Sequence, residues 1–355
     1  MSLPPHLSFK CAVTDSKGPR RTMEDAHSIV VPFGGIRGQG FFAIFDGHAG
    51  KQAAEWCGQH FATCLLRALS EDHQGSVPDV LNQTFHDVDA YLSKLSEDSD
   101  GKMHSGCTAV TAFLRLEDSD GKQSFVPPSF NPIDAALVHA PSPDGNEQNS
   151  DQENVDPETS RMSGAGRIKH AFKALSERRS PTSESQSSDE KEETWTPSAD
   201  IPARRVLYCA NAGDARGVLC RGGKAVRLTY DHKGSDKQEA KRIVDAGGFV
   251  MSGRVNGVLA VTRALGDSAM KEYVVGAPYT TETELSEEDE FLILACDGLW
   301  DVVDDQKAVD FVRAIADPRQ AAEDLLDYAY KNYSSDNVTV LVVRFRNPSE
   351  PPRSQ

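Results

Sequence analysis

FFAIFDGHAG, residues 41–50, runs a short apolar stretch straight into an Asp-Gly step, and FLILACDGLWD, residues 291–301, repeats the arrangement near the other end of the chain. Apolar runs of this length read as strands. A strand that stops at Asp-Gly delivers its carboxylate to the edge of a sheet, and the glycine lets the backbone turn so that a carbonyl faces the same centre. The matched layouts predict one shared acidic site around Asp46 and Asp297, rich in the oxygen ligands that hard divalent cations require.

Working outward, Ala53, Trp56, Cys57, Phe61, Cys64 and Leu65 fall on one face of a helix, as do Val80, Leu81, Phe85, Val88, Tyr91, Leu92 and Leu95. Further strand-like runs are CTAVTAFLRL (107–116), RRVLYCANAG (204–213), ARGVLC (215–220), KAVRLT (224–229), GVLAVT (257–262) and NVTVLVVRF (337–345). Ser235 is read as the cap of a helix in SDKQEAKRIVDAGG that Gly247 ends, and two more helices are expected over 305–333. Helices arrive in adjacent pairs between groups of strands, without strict alternation. That pattern predicts an α+β fold of antiparallel sheets covered by helices and argues against a doubly wound parallel sheet.

Residues 117–202 turn to Ser, Pro, Asp, Glu, Gln and Asn, and carry roughly half of the net negative charge. This stretch is expected to be a disordered insertion in a hairpin between the strands at 107–116 and 204–213, because lengthening a loop costs only about 0.6 kcal/mol per doubling. Within it, Ile168, Phe172 and Leu175 of RIKHAFKALSERR recur at helical spacing, which leaves a docking segment for regulators open beside plain linker. Ser180-Pro181 and Thr196-Pro197 are candidate phosphorylation sites.

A net charge of −16 argues against a nucleic-acid partner, since phosphate backbones are held by Lys and Arg patches that do not stand out here. Seven cysteines without a C-x-x-C pair suggest reduced thiols and a cytoplasmic or nuclear location. MSLPPHLSFK lacks the apolar core of a secretory signal and no apolar run is long enough to span a membrane, so a soluble protein is expected.

Four acidic positions stand out: Glu24-Asp25 in RRTMEDAH, Asp46, Asp297, and Asp336 in SSDNVTV. Singly, each reads as a solvated charge, a turn or a cap. Together, beside apolar runs, they read as carboxylates that would repel one another unless cations bound them. Two metal ions sharing one carboxylate satisfy such a set.

Seven segments in order carry a resemblance: R-x-x-x-E-D from Arg20, F-D-G-H-A-G, S-G-x-T-A, N-x-G-D-x-R, R-V-N-G-x-L-A-V-x-R-A-L-G-D, C-D-G-x-W-D and D-N-x-[ST]-V. From about Phe9 to Phe345, insertion excepted, the chain resembles the metal-dependent type 2C protein serine/threonine phosphatases, its 20–25 and 56–58 segments most of all the fungal ones. The resemblance implies a four-layer α-β-β-α sandwich with two central, mostly antiparallel sheets. One catalytic domain would span 8–346, with a flap subdomain at 231–279 and a short tail at 347–355. It implies hydrolysis of phosphoserine and phosphothreonine in proteins by water activated between two Mn or Mg ions, in signalling pathways, by a monomer without nucleic-acid or membrane partners.

Site roles follow from the same resemblance. Asp46 would bridge the two ions, with the Gly47 carbonyl and, directly or through water, Glu24 on one and Asp297 and Asp336 on the other, while Asp25 orients metal-bound water. Arg20 would clamp phosphate through its two-pronged guanidinium, with Arg21 exposed. His48 would be the general acid, or a histidine that only orients water. Asp214 and Asp301 would hold a weaker third ion with Asp297, or form turns with a salt bridge to Arg216. Thr108 and Asn337 would steady the cage, and Arg254 in the flap would lie closest to substrate. Asp267 is read as bracing the flap. An inactive binding module, a binuclear hydrolase of small phosphate esters and a cysteine-based redox scaffold are the other classes weighed, and retention of Asp46, Asp297 and Asp336 speaks against the first of them.

Overall fold

Phe41, Ala43 and Phe45 point to one side of their strand, Phe42 and Ile44 to the other, and all five are fully buried in two separate cores. A period of two with both faces dry means a sheet covered on both sides. In the computed structural model, which describes residues 3–71, 75–99, 104–138, 194–198 and 203–345, that sheet runs β11 (Tyr279–Glu284), β5 (Arg204–Ala212), β4 (Gly106–Glu117), β3 (Gly40–His48) and β2 (Ala26–Val30), with β10 (Leu265–Gly266) also on β4. A second sheet runs β1 (Lys10–Ser16), β13 (Val338–Arg344), β12 (Asp289–Ala295), β6 (Arg216–Arg221) and β7 (Lys224–Arg227). The strand pairs of both sheets are antiparallel.

Ile44, Val110, Leu207, Leu292 and Leu341 meet between the two sheets. On the outer face of the first sheet lie α1 (Gln52–Glu71) and α2 (Val77–Asp98), packed through Phe61, Leu65, Phe85 and Val88. On the outer face of the second, α6 (Asp305–Val312) and α7 (Pro318–Lys331) bury Val309, Val312, Ala322 and Leu325. The order is therefore helix, sheet, sheet, helix. Among the described residues no helix is long and apolar enough to cross a membrane.

Residues 231–279 contain α4 (Lys237–Asp245) and a two-stranded ribbon of β8 (Val250–Met251) and β9 (Arg254–Val255) around a small core of Ile243, Val255, Val261, Ala264 and Val274. Two expectations fail here. The cap of α4 is Asp236, whose Oδ1 accepts from the N–H groups of Gln238 and Glu239 at 2.8 and 3.0 Å, and not Ser235. GVLAVT is not a strand but a turn with isolated bridges at Leu259 and Val261, because Asn256 and Gly257 at φ 50° and 72° bend the backbone away from extension.

The insertion is also narrower than 117–202. Glu117 is the last residue of β4, opposite Arg204, and its buried carboxylate accepts from Tyr208 Oη at 2.9 Å and Arg115 Nη1 at 2.7 Å. Gln123 Nε2 donates to Gln39 Oε1 at 2.7 Å, and α3 (Pro132–Val138) follows. On the far side Trp195 exchanges backbone hydrogen bonds with Gly35 and Arg37, both at 2.9 Å, and stacks on Phe125 with ring centroids 5.6 Å apart. Thr196-Pro197 thus adjoins an anchored residue. RIKHAFKALSERR and Ser180-Pro181 lie outside the described residues, as does the 347–355 tail. Replacing residues 141–191 by a flexible Gly-Ser linker is expected to leave the melting temperature essentially that of the full chain, since the closure cost changes slowly with length. Removing Trp195 and Phe125 as well is expected to lower the melting temperature, and a calorimetric scan of both deletions separates the two cases.

Candidate active site

Each Asp-Gly step docks edge-on against a loop bearing another pair of candidate ligands. A Cβ on Gly47 would collide with the carbonyl oxygen of Glu24, and one on Gly298 with that of Asn337. Only glycine lets the two backbones approach so closely. The contacts bring Asp46, at the end of β3, beside Glu24-Asp25, and Asp297, first residue of the short helix α5 (Asp297–Trp300), beside Asp336-Asn337. Asn337 ties the loops together: its Oδ1 accepts from Glu24 N–H at 2.8 Å, and its Nδ2 donates to the carbonyls of Lys17 and Thr22 at 2.9 and 3.0 Å.

Convergence of like charges shows in the acidities. Burial pushes the Asp297 carboxyl up to about 7, with the charges of Asp214, Asp301 and Asp336 adding to it. Burial likewise pushes Asp25 up to about 6, against the lowering effect of the hydroxyl of Thr339, which donates to Asp25 Oδ2 at 2.6 Å. Asp46 is raised well above its ordinary range, by burial of the carboxyl and then by Asp25, Asp297, Asp214 and Asp336, although part of the residue still reaches solvent. Such a set is costly as it stands and suited to cations.

The donors fit a hard divalent ion. Asp25 Oδ1 and Asp214 Oδ1 are buried and accept no hydrogen bond. Ligand atoms of Asp25, Asp46 and Cys296 lie within 4.8 Å of one another. Burial and the surrounding carboxylates push the Cys296 thiol well above its ordinary range, and its sulfur already accepts from Thr339 N–H at 3.2 Å, which leaves the carboxylates as the donors.

Around this centre the remaining candidates fall out individually. Glu24 accepts from Thr22 Oγ1 at 3.0 Å and from Gly50 N–H at 3.4 Å, so its carboxylate stays close to the turn after His48. Arg20 is exposed and its Nη2 donates to Asp336 Oδ2 at 2.6 Å, which sets the guanidinium at the rim of the acidic set; Arg21 is exposed. His48 Nε2 lies 2.7 Å from Asp267 Oδ2. Thr108 sits opposite Asp46 on β4, but its hydroxyl is buried without a partner and so steadies nothing by hydrogen bonding. Arg254 is exposed on the flap and donates to the Val258 carbonyl at 2.7 Å.

Arg216 does not pair with Asp214 or Asp301. It is held by Asp231 and, at 2.7 Å, by Asp305, with its guanidinium 5.1 Å from the centre of the Trp300 ring. The partner of Asp214 and Asp301 is Lys233, whose Nζ is 3.2 Å from a carboxylate oxygen of each.

Sequence reasoning missed three of these partners. Thr339 sits at the hydroxyl position of the D-N-x-[ST]-V segment and was legible as a polar residue in an apolar strand. Asp267 was noted only as a flap brace; its left-handed backbone (φ 49°) and burial against Gly106 turn its carboxylate onto His48. Lys233 carried no signal, being one lysine in a loop.

Comparison with known proteins points one way. A family model described as Protein phosphatase 2C matches residues 9–118 and 143–338. The chain is 38% identical over 333 residues to Protein phosphatase 2C homolog 1 of Schizosaccharomyces pombe, covering 93% of this chain and 71% of that protein. It is 38% identical over 344 residues to Protein phosphatase 2C homolog 1 of Saccharomyces cerevisiae, covering 96% and 95%. Among solved structures, a phosphatase from a pathogenic strain of Toxoplasma gondii superposes with a TM-score of 0.62 at 22% identity, over 97% of this chain and 95% of that one.

Proposed function

This chain belongs to the protein phosphatase 2C family and is a metal-dependent protein serine/threonine phosphatase, and from that premise we propose how its residues divide the work. Two hard divalent ions, Mn or Mg, would be held by Glu24, Asp46, the Gly47 carbonyl, Asp297 and Asp336. When bound, the ions neutralise phosphoryl charge and make water a ready nucleophile at neutral pH.

The protein's own groups do the positioning. Asp25 is held by Thr339 through one oxygen, which leaves the other to accept a proton-bearing bond from the attacking water. Arg20, anchored on Asp336 by one arm of its fork, offers the other to a phosphate oxygen. His48 is oriented by Asp267 through Nε2 and presents Nδ1 to the departing serine or threonine oxygen, giving it a proton. No side chain needs to be phosphorylated along this route.

The observation that supports this reading most is the pair of Asp-Gly steps, each closed against a loop with further oxygen ligands. Substrates are phosphorylated proteins of signalling pathways and the chain acts as a monomer; a cytoplasmic or nuclear location is inferred from seven free cysteines. Residues within 139–193, which lie outside the described set, are proposed to dock regulators. The expected result is phosphate release from a phosphothreonine peptide that requires Mn or Mg and stops with chelator. Equal release in chelator, or none with either metal from folded protein, would overturn the reading.

A further inference from the structure

Lys233 closes an ion triangle at the edge of the acidic centre. Its Nζ lies 3.2 Å from Asp214 Oδ2 and 3.2 Å from Asp301 Oδ1, the two residues assigned above to a weaker third ion. Asp214 is 4% exposed and its other oxygen, Oδ1, is buried without a partner, so that carboxylate has unused ligand capacity facing no protein donor. An ammonium this near two carboxylates is attracted by both and excludes a second cation from between them.

We propose that Lys233 is a tethered cation that occupies the Asp214–Asp301 pair and has to be displaced before a third divalent ion binds there. The lysine thereby sets the weakness of that site. Its surroundings allow the exchange: Lys233 is about one-third exposed and lines an open cleft of about 370 Å3 with Arg227, Tyr230, Asp231, Ser235 and Asp236, through which a displaced ammonium reaches water. Lys233 also begins the flap, since its backbone bridges to Val261 and His232 O accepts from Thr262 N–H at 2.9 Å. Occupancy of the third site is therefore coupled to the root of the flap.

The inference rests on the two-ion reading above, and the test separates the two. Mn binding to the full chain is measured by titration calorimetry and by the electron paramagnetic resonance of free Mn. Wild type is expected to show two tight ions and one weak one. Lys233→Met is expected to tighten the weak ion by roughly tenfold or more, Lys233→Arg to leave it weak, and Asp214→Asn added to Lys233→Met to abolish the gain. An unchanged weak ion in a folded Lys233→Met protein overturns the proposal. Absence of the two tight ions in wild type instead overturns the phosphatase centre. Should Lys233→Met fail to fold, wild type alone decides: amine labelling of Lys233, read by mass spectrometry, rises when Mn saturates the weak site, and labelling that stays constant refutes displacement.

Discussion

Asp46→Asn is expected to lower turnover on a phosphothreonine peptide by about three orders of magnitude or more, because it removes the carboxylate proposed to be shared by two ions, each of which would contribute several kcal/mol to the transition state. The same variant is expected to melt at a higher temperature than wild type in chelator. Burial and four neighbouring carboxylates already disfavour charge at Asp46, and an amide of the same shape ends that repulsion. Adding Mn should raise the melting temperature of wild type far more than that of the variant, since only the native state of wild type retains the ligand set. Activity and stability thus move in opposite directions. A variant that turned over within tenfold of wild type would remove Asp46 from the centre of the reaction.

What the sequence disclosed and what it concealed divide along physical lines. The Asp-Gly steps were legible because strand, carboxylate and turn are adjacent in the chain. The strands β1, β2 and β11 were not singled out: Lys10 and Asp15, His27, and the alternating threonines and glutamates of 279–284 break up the apolar runs of strands that are half exposed. Glu117 was placed in the insertion because it is charged, whereas Tyr208 and Arg115 make its burial tolerable inside the sheet. Asp236 and Ser235 are both good caps, and local chemistry alone does not choose between adjacent ones. The pairings His48–Asp267 and Lys233–Asp301 span most of the flap or more, and only the folded backbone brings them together. Placements carried by adjacency in the chain were readable; placements carried by long-range ion pairs were not.

Asp297→Asn is expected to match Asp46→Asn in abolishing turnover, and it has a second signature that identifies the charge responsible. The native carboxyl titrates at about 7, well above its ordinary value of 3.8, so the native state holds this proton over a range in which the unfolded chain has released it. Native protein binds more protons than unfolded protein there, and stability must fall as pH rises through about 7. Metal-free wild type should accordingly melt lower at about pH 8 than at about pH 6.5, and Asp297→Asn should make that slope shallower, leaving the part carried by the raised carboxyls of Asp46 and Asp25. The window excludes His232, which burial lowers to about 4 and which costs stability only as pH falls below its ordinary 6.5. Saturating Mn should flatten the wild-type slope as well, because a bound cation replaces the proton as the species that makes the charge tolerable. If wild type and Asp297→Asn show the same slope in chelator, Asp297 does not carry the excess proton, and its loss of activity would have to be explained by disruption of the short helix that begins at it.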